Sequence, residues 1–347
     1  MDDPIPECIS TQTSEETIKV LVIGCGSIGR RHIANLNALG VSDISVVDPD
    51  EGRLEEVQAR FKTRSWRTLG EALRAEPQAA LICTPPHIHV ALALEAVRAG
   101  CHCLIEKPIS DRMEGLEALF DEAGSRGLKI AVGYNLRFHP GLVRLKELLA
   151  LGGIGRAICV RAEVGTYLPQ WRPWQDYRQS YTAKRKMGGG VILDLSHELD
   201  LARCLMGEVE QVFCVAGSLG PLDLDVEDTA EIILRFRSGA IGSVHLNMIQ
   251  RTYSRSCKVV GTEGIVTWDL AEGILKCFSA KTGEWQAFQD DENLSHTYTA
   301  ELKHFLHCIS STEEPIVTAM DGKQALKMAL AAKQSAEIGQ AVRIPGD

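Results

Sequence analysis

Val20-Leu21-Val22-Ile23-Gly24-Cys25-Gly26-Ser27-Ile28-Gly29 decides the fold, because four consecutive apolar residues run straight into a G-x-G-x-x-G turn. The apolar run predicts a buried strand, and each glycine answers a separate demand: Gly24 a tight turn, Gly26 a close backbone approach to a pyrophosphate, Gly29 a helix packed onto the strand. With Ser27 and Ile28 between them, these residues open a helix whose first N–H groups are free for an anion. Asp48 ends the next apolar run, about twenty residues on, where a carboxylate would bind adenosine ribose hydroxyls. Such a carboxylate repels a 2′-phosphate, so NAD is the expected cofactor, while Arg30, Arg31 and Arg53 leave NADP open. The purely structural alternative is a glycine-rich turn with Asp48 as a turn residue before Pro49.

Outward from this stretch, short apolar runs alternate with amphipathic segments. Strands are expected at 19–24, 43–47, 79–83, 101–105 and 130–133, and helices at 31–39, 53–61, 89–99 and 113–123. A βαβ series of this kind predicts an α/β Rossmann domain, a doubly wound parallel sheet over 18–138. From 139 to 347 the pattern changes to longer alternating strands at 156–164, 229–236, 240–248 and 256–260, with helices near 191–206 and 298–309. These predict an α+β domain on a large open, mostly antiparallel sheet that binds substrate and mediates oligomerisation. A last helix, 322–339, suits either domain, and the acidic, polar residues 1–17 read as a disordered leader.

At 347 residues, 45% hydrophobic and 24% charged, the chain can build two substantial cores. A net charge of -9, with no dense basic run beyond Lys184-Arg185-Lys186, gives no reason to expect nucleic acid. No stretch approaches the ~20 apolar residues of a membrane span, and the leader lacks the regions of a signal peptide. Eleven cysteines, scattered and odd in number, suit a reducing compartment, so a cytoplasmic location is expected. No metal site is expected either: in Cys101-His102-Cys103 strand alternation turns the imidazole away from both thiols.

In a doubly wound sheet ligands bind beyond the carboxyl ends of the strands. Thr84-Pro85-Pro86-His87, with His89 close behind, Glu106-Lys107-Pro108, and Asn135 with Arg137 all fall there. Thr84, Pro85, His87, His89, Glu106, Lys107 and Asn135 are therefore candidate cofactor contacts together with Gly24, Gly26, Ser27, Ile28, Gly29, Asp48 and Arg53. In the second half, the run Tyr167 to Arg178 gathers Tyr167, Trp171, Trp174, Tyr177 and Arg178 before the triplet Gly188-Gly189-Gly190. Aromatic faces with hydroxyl and guanidinium donors suit a polyol, a sugar acid or a nucleotide sugar. Burial against a neighbouring subunit is the alternative for this loop. Arg137 is a further substrate candidate, and Arg161 and Arg178 are candidates for a carboxylate or phosphate.

Taken together, the glycine fingerprint, Cys83-Thr84-Pro85-Pro86-His87-Ile88-His89, Glu106-Lys107-Pro108, and the triple glycine leading into Asp194-Leu195-Ser196-His197-Glu198-Leu199-Asp200 resemble the Gfo/Idh/MocA family over nearly the whole chain. The resemblance implies an NAD(P)-dependent enzyme with a Rossmann domain and a second α/β domain whose sheet carries the substrate on one face and often an oligomer interface on the other. It places Lys107 beside nicotinamide and the reacting hydroxyl, with a cis peptide bond before Pro108. The family's Asp-x-x-x-His pair maps onto Asp194 and His197, where only two residues intervene.

Oxidising a secondary alcohol requires a base for the hydroxyl proton while hydride leaves for nicotinamide, and histidine suits that task near neutral pH. Lys107, His197 and Asp194 are accordingly the expected catalytic groups. His197 serves as base, Lys107 stabilises the alkoxide, and Asp194, one helical turn before His197, orients it or shares its proton. The expected partners are a small sugar-like substrate and a second copy or more of the chain, as a homodimer or homotetramer. Two other readings stay open. An NAD-dependent glycosidase would cleave sugar without net NADH, and a non-catalytic NAD sensor would bind the cofactor without turnover.

Overall fold

The computed structural model describes residues 18–290 and 293–346, so the expected leader lies outside the described residues. Its first sheet contains β1 (Val20–Ile23), β2 (Ile44–Val47), β3 (Arg64–Trp66), β4 (Ala79–Ile82), β5 (His102–Ile105) and β6 (Ile130–Val132) in the order β3-β2-β1-β4-β5-β6. Every pairing is parallel. β1, β2 and β4 are buried throughout, which is why β1 and β4 read as unbroken apolar runs and β2 as one interrupted only by Ser45. The strand order reverses between β1 and β4, and this switch point opens the crevice at the carboxyl ends.

The sequence reading has no counterpart for β3 or for the short helix Leu69–Leu73. β3 is three residues long, at the sheet edge, and contains only one apolar side chain, so it carries almost no periodic signal. His102 is partly buried and accepts the Lys129 N–H at 3.0 Å, while the Cys101 and Cys103 thiols donate to the Pro77 and Ala93 carbonyls. The three side chains thus separate as strand alternation requires. Every described cysteine is free.

The second sheet extends well beyond the four strands picked out in the sequence. It contains β7 (Ala157–Tyr167), β8 (Val209–Gly217), β9 (Thr229–Phe236), β10 (Ile241–Asn247), β11 (Ile249–Gly261), β12 (Gly264–Asp269), β13 (Ile274–Ser279), β14 (Glu284–Gln289) and β15 (Val342–Arg343). Their order is β14-β13-β12-β11-β7-β10-β9-β8-β15. β7 and β10 pair in parallel and the other pairs run antiparallel. Alternation is strict on β9, where Ala230, Ile232, Leu234 and Phe236 face inward and Glu231, Ile233 and Arg235 outward.

Helices His197–Met206 and Ala319–Ile338 cover the inner face. The latter starts at a capping box, in which Thr318 and Asp321 satisfy each other's backbone N–H groups at 3.2 and 2.9 Å. It packs mainly on the second sheet and also reaches the first, where the Val132 N–H donates to Val317 at 3.2 Å just before the helix. Helix Ser295–Ser310 goes the other way. Its Leu302 and Phe305 join Val20, Val22, Ile33 and Leu36 in the core behind the nucleotide fingerprint.

Candidate active site

A cleft of about 570 Å³ begins at the fingerprint, crosses the ends of β4 and β5, and ends against the loop that follows β7. Gly24, Gly26, Ser27, Ile28, Asp48, Arg53, Thr84, Pro85, Glu106 and Lys107 line it. Helix Ser27–Ala38 begins at Gly26 with no side-chain cap, leaving its first N–H groups to an external acceptor. A Cβ at Gly26 would meet nothing within 4 Å, so the space above this backbone is open. The reverse holds at Gly29, where a Cβ would overlap the Gly24 carbonyl oxygen. Gly29 therefore serves the helix–strand contact and does not line the cleft.

Asp48 is buried at the end of β2, where Oδ2 accepts the Cys25 N–H at 2.8 Å and Oδ1 the Asp50 N–H at 2.9 Å. Burial and this carboxylate push the Cys25 thiol up to about 12, so it stays protonated. Arg53 stands 3.5 Å from Asp48. Thr84 Oγ1 is buried without a partner on the cleft wall, as expected of a group awaiting a ligand. An open backbone at Gly26, free helix N–H groups, a fixed acidic residue at the β2 end and an orphaned hydroxyl together suit a dinucleotide.

The end of β5 and the second half of the chain meet at one carboxylate. Lys107 Nζ donates to the Asp194 carbonyl at 2.5 Å and to Oδ1 at 3.2 Å. Oδ1 also accepts the Tyr181 hydroxyl at 2.8 Å, and Oδ2 accepts the Thr182 hydroxyl at 2.6 Å. The triple glycine makes this approach feasible: a Cβ at Gly189 would collide with the Tyr181 and Thr182 carbonyls. The Lys107–Pro108 bond is cis. Glu106 holds His32 Nε2 at 2.7 Å through Oε1, while its Oε2 accepts the Lys107 N–H at 3.3 Å.

Asp194 does not orient His197, contrary to the sequence expectation. The expected single helix 191–206 is broken, with Val191–Asp194 and His197–Met206 separated by Leu195 and Ser196. The Asp194 carboxylate is taken up by Lys107, Tyr181 and Thr182. His197 is 8% exposed, packs edge-on against Tyr134 at 5.4 Å and has an unpartnered Nδ1. Burial lowers its pKa well below the ordinary value of 6.5, and the Lys107 and Arg255 charges push the same way. The ring is thus neutral and able to accept a proton. Beside it, Arg255 Nε lies 2.8 Å from Glu198 Oε1.

Several other candidates are drawn into structure. His89 is fully buried, bridging the Thr84 and Pro108 carbonyls at 2.6 and 3.0 Å, and thereby braces two strand-end loops instead of touching the cleft. His87 and Asn135 also stand off the cleft, and Asn135 donates to Thr297 Oγ1 at 2.5 Å. Arg137 grips Asp200 with two 2.7 Å hydrogen bonds, which ties the end of β6 to the His197 helix. A buried bidentate pair of this kind leaves little for a substrate. Arg161 is exposed on β7, opposite Ser243 and Lys258. Tyr167 lies under the Arg251 guanidinium at 3.9 Å, and the Tyr177 hydroxyl accepts the Asp223 N–H at 3.1 Å. Arg178 is engaged with Asp176, and Trp174 is 73% exposed. Of the aromatic loop candidates, Trp171 lines the cleft.

The sequence reading counts Arg172 among the guanidinium donors of the aromatic run without singling it out, and does not single out Gln175, Gln179 or Tyr181; all four line the cleft. Arg172 and Gln175 lie inside the quoted aromatic run and Tyr181 just before the glycine triplet. No periodicity marks them, because this segment is a chain of short turns.

Comparison with known proteins agrees with this architecture. The model of an oxidoreductase family with an NAD-binding Rossmann fold matches residues 18–134, and that of the GFO/IDH/MocA C-terminal domain matches residues 142–267. Myo-inositol 2-dehydrogenase of Thermotoga maritima is 29% identical over 94% of this chain and 98% of its own. UDP-N-acetylglucosamine 3-dehydrogenase of Acidithiobacillus ferrooxidans is 28% identical over 91% of this chain and 96% of its own. Among solved structures, GenD2 from gentamicin A biosynthesis, in complex with NAD, superposes with a TM-score of 0.82 at 25% identity, over 95% of this chain and 97% of its own.

Proposed function

The chain belongs to the GFO/IDH/MocA family and is an NAD-dependent oxidoreductase, and from that premise we propose that it transfers hydride between nicotinamide and a secondary alcohol of a sugar, polyol, sugar acid or nucleotide sugar. The observation that carries this reading is the meeting of Lys107, at the end of a cofactor-side strand, with Asp194 from the opposite half of the molecule, at 3.2 Å on the wall of one cleft. The family relatives named for inositol and UDP-N-acetylglucosamine support the substrate range.

In this reading Gly24, Gly26, Ser27 and Ile28 present main chain to the pyrophosphate, and Asp48 presents its carboxylate to the ribose hydroxyls. Bound there, NAD supplies the hydride acceptor. The Lys107 ammonium stabilises negative charge on the substrate oxygen. Neutral His197 accepts the hydroxyl proton, and Asp194 holds Lys107 in place. Thr84, Pro85 and Glu106 complete the nicotinamide end of the cradle.

We further propose a cytoplasmic homo-oligomer. Phe213, Val215, Ile233 and Ile241 are 39–63% exposed on strands β8, β9 and β10, so the outer face of the second sheet carries apolar side chains that a second copy would cover. Among the described residues no helix is long and apolar enough to cross a membrane.

The test is NADH formation by the purified protein across a panel of polyols, sugar acids and nucleotide sugars. Turnover is expected, and Lys107→Ala should lower it by roughly 10²-fold or more. Sugar cleavage without net NADH, or NAD binding without turnover across the panel, would replace this reading. Near-normal turnover in Lys107→Ala would remove the lysine from it.

A further inference from the structure

The charged side chains lining the cleft each have a polar partner, with one exception. Asp48 faces Arg53 at 3.5 Å, Arg67 faces Glu51 at 3.7 Å, Lys107 faces Asp194 at 3.2 Å, and Glu106 holds His32 at 2.7 Å. Arg172, partly buried on the cleft wall, has no counter-ion and no side-chain hydrogen-bond acceptor among the described residues.

Its place is built. Helix Leu168–Trp171 leads out of β7, starting with the Leu168 N–H on the Met248 carbonyl at 3.0 Å. Trp171 Nε1 donates to Thr166 Oγ1 at 2.6 Å, which fixes the residue immediately before Arg172. On the other side the Gln175 N–H closes onto the Arg172 carbonyl at 3.0 Å. Arg172 also acts on Tyr181: burial, and then Asp194, raise that hydroxyl's pKa, and the Arg172 charge opposes them. The guanidinium is therefore near the Lys107–Asp194–Tyr181 group. The nearby Arg178 is occupied by Asp176, and Arg161 points to the outer face of the sheet.

We propose that Arg172 receives an anionic group of the substrate, a carboxylate or a phosphate, and that this protein acts on an acidic or phosphorylated sugar in preference to a neutral polyol. The inference rests on the dehydrogenase reading above and narrows its substrate class. A planar guanidinium on the wall of a cleft is suited to bidentate recognition of either anion, and an anion there would give Arg172 the partner it lacks. With Arg172 holding the anion and Lys107 the reacting oxygen, a substrate would be gripped at two points.

The experiment titrates the NADH-loaded protein calorimetrically with D-glucuronate, glucose 6-phosphate, UDP-N-acetylglucosamine and myo-inositol. At least one anionic probe is expected to bind about tenfold or more tighter than myo-inositol, and the preferred probe identifies carboxylate, terminal phosphate or diphosphate as the anion. Arg172→Gln should weaken that probe by about tenfold to a hundredfold, the range for a lost charge-assisted hydrogen bond. Arg172→Lys, which keeps the charge and loses the fork, should fall between. NADH affinity should stay within about twofold in both variants. Three results would overturn the proposal: myo-inositol binding as tightly as every anion, undiminished anion binding in Arg172→Gln, or an equal loss of NADH, which would make Arg172 a cofactor residue. Binding is read without turnover, so an inactive protein that still prefers anions through Arg172 would remove the dehydrogenase reading alone.

Discussion

The two walls of the cleft are built on different principles. The cofactor wall is main chain and strand ends: Gly24, Gly26 and Asp48 occupy positions set by a parallel sheet buried on both faces. The opposite wall is an irregular segment from Trp171 to Met187, held by single side-chain contacts such as Trp171 to Thr166 and Thr182 to Asp194. The first wall is common to any dinucleotide and tolerates little change. The second is free to vary around a fixed Lys107–Asp194 contact, as expected where a scaffold is retained and specificity resides in loops.

The most severe test of that contrast lies within the fingerprint. Gly29→Ala places a methyl group onto the Gly24 carbonyl oxygen, so the helix must leave the strand. Loss of several kcal/mol, enough to prevent accumulation of folded protein, is expected. Gly26 has an ordinary backbone, with φ -67°, and open space above it. Gly26→Ala should fold with an unchanged denaturation midpoint and bind NADH at least about tenfold more weakly, because the methyl occupies the space of the ligand. If both variants behaved alike, the division between packing glycine and ligand glycine would fail.

This division also explains what could be read from the sequence. The first sheet was legible because its information is local: each buried strand is a short apolar run, and the G-x-G-x-x-G spacing carries its own geometry. On the second wall the deciding facts are distant pairings. Nothing near Arg137 announces that Asp200, sixty-three positions away, will take both its nitrogens. Nothing near His89 announces the Thr84 and Pro108 carbonyls. Asp194 and His197 stand out in the sequence as candidates, yet their relation does not, because the helix break at Leu195 and Ser196 is a tertiary outcome within an apolar run that reads as continuous.

A second prediction concerns His197, which is buried against Tyr134 and is not among the residues lining the cleft. Burial first, then Lys107 and Arg255, lower its pKa, so the folded protein binds fewer protons here than the unfolded chain, whose histidine titrates near 6.5. Stability from this group is present above pH about 6.5 and is lost as pH falls from there toward the lowered value. His197→Gln should therefore lose less stability than wild type between pH 7 and pH 5, by up to about 2 kcal/mol in urea titrations, since each pH unit is worth about 1.4 kcal/mol. In the same pH series the acid limb of kcat/KM for alcohol oxidation should lie below pH 6.5 and be absent in the variant, with activity lower by about 10²-fold. An acid limb shared by both proteins would assign the base elsewhere.

The smallest effect separates two tryptophans of the variable wall. Trp171 lines the cleft with its indole fixed on Thr166, whereas Trp174 is 73% exposed. Trp171→Ala should raise KM for the best substrate by about tenfold, through lost ring contact and a loosened Arg172. Trp174→Ala should change kcat/KM by less than about twofold and stability by less than about 0.5 kcal/mol, as an exposed side chain does. The alternative for this loop, burial against a neighbouring subunit, predicts otherwise: Trp174→Ala would shift the sedimentation profile toward smaller species and lower activity in proportion. Measuring both quantities on one preparation decides whether the variable wall ends at Trp171 or continues into a second copy of the chain.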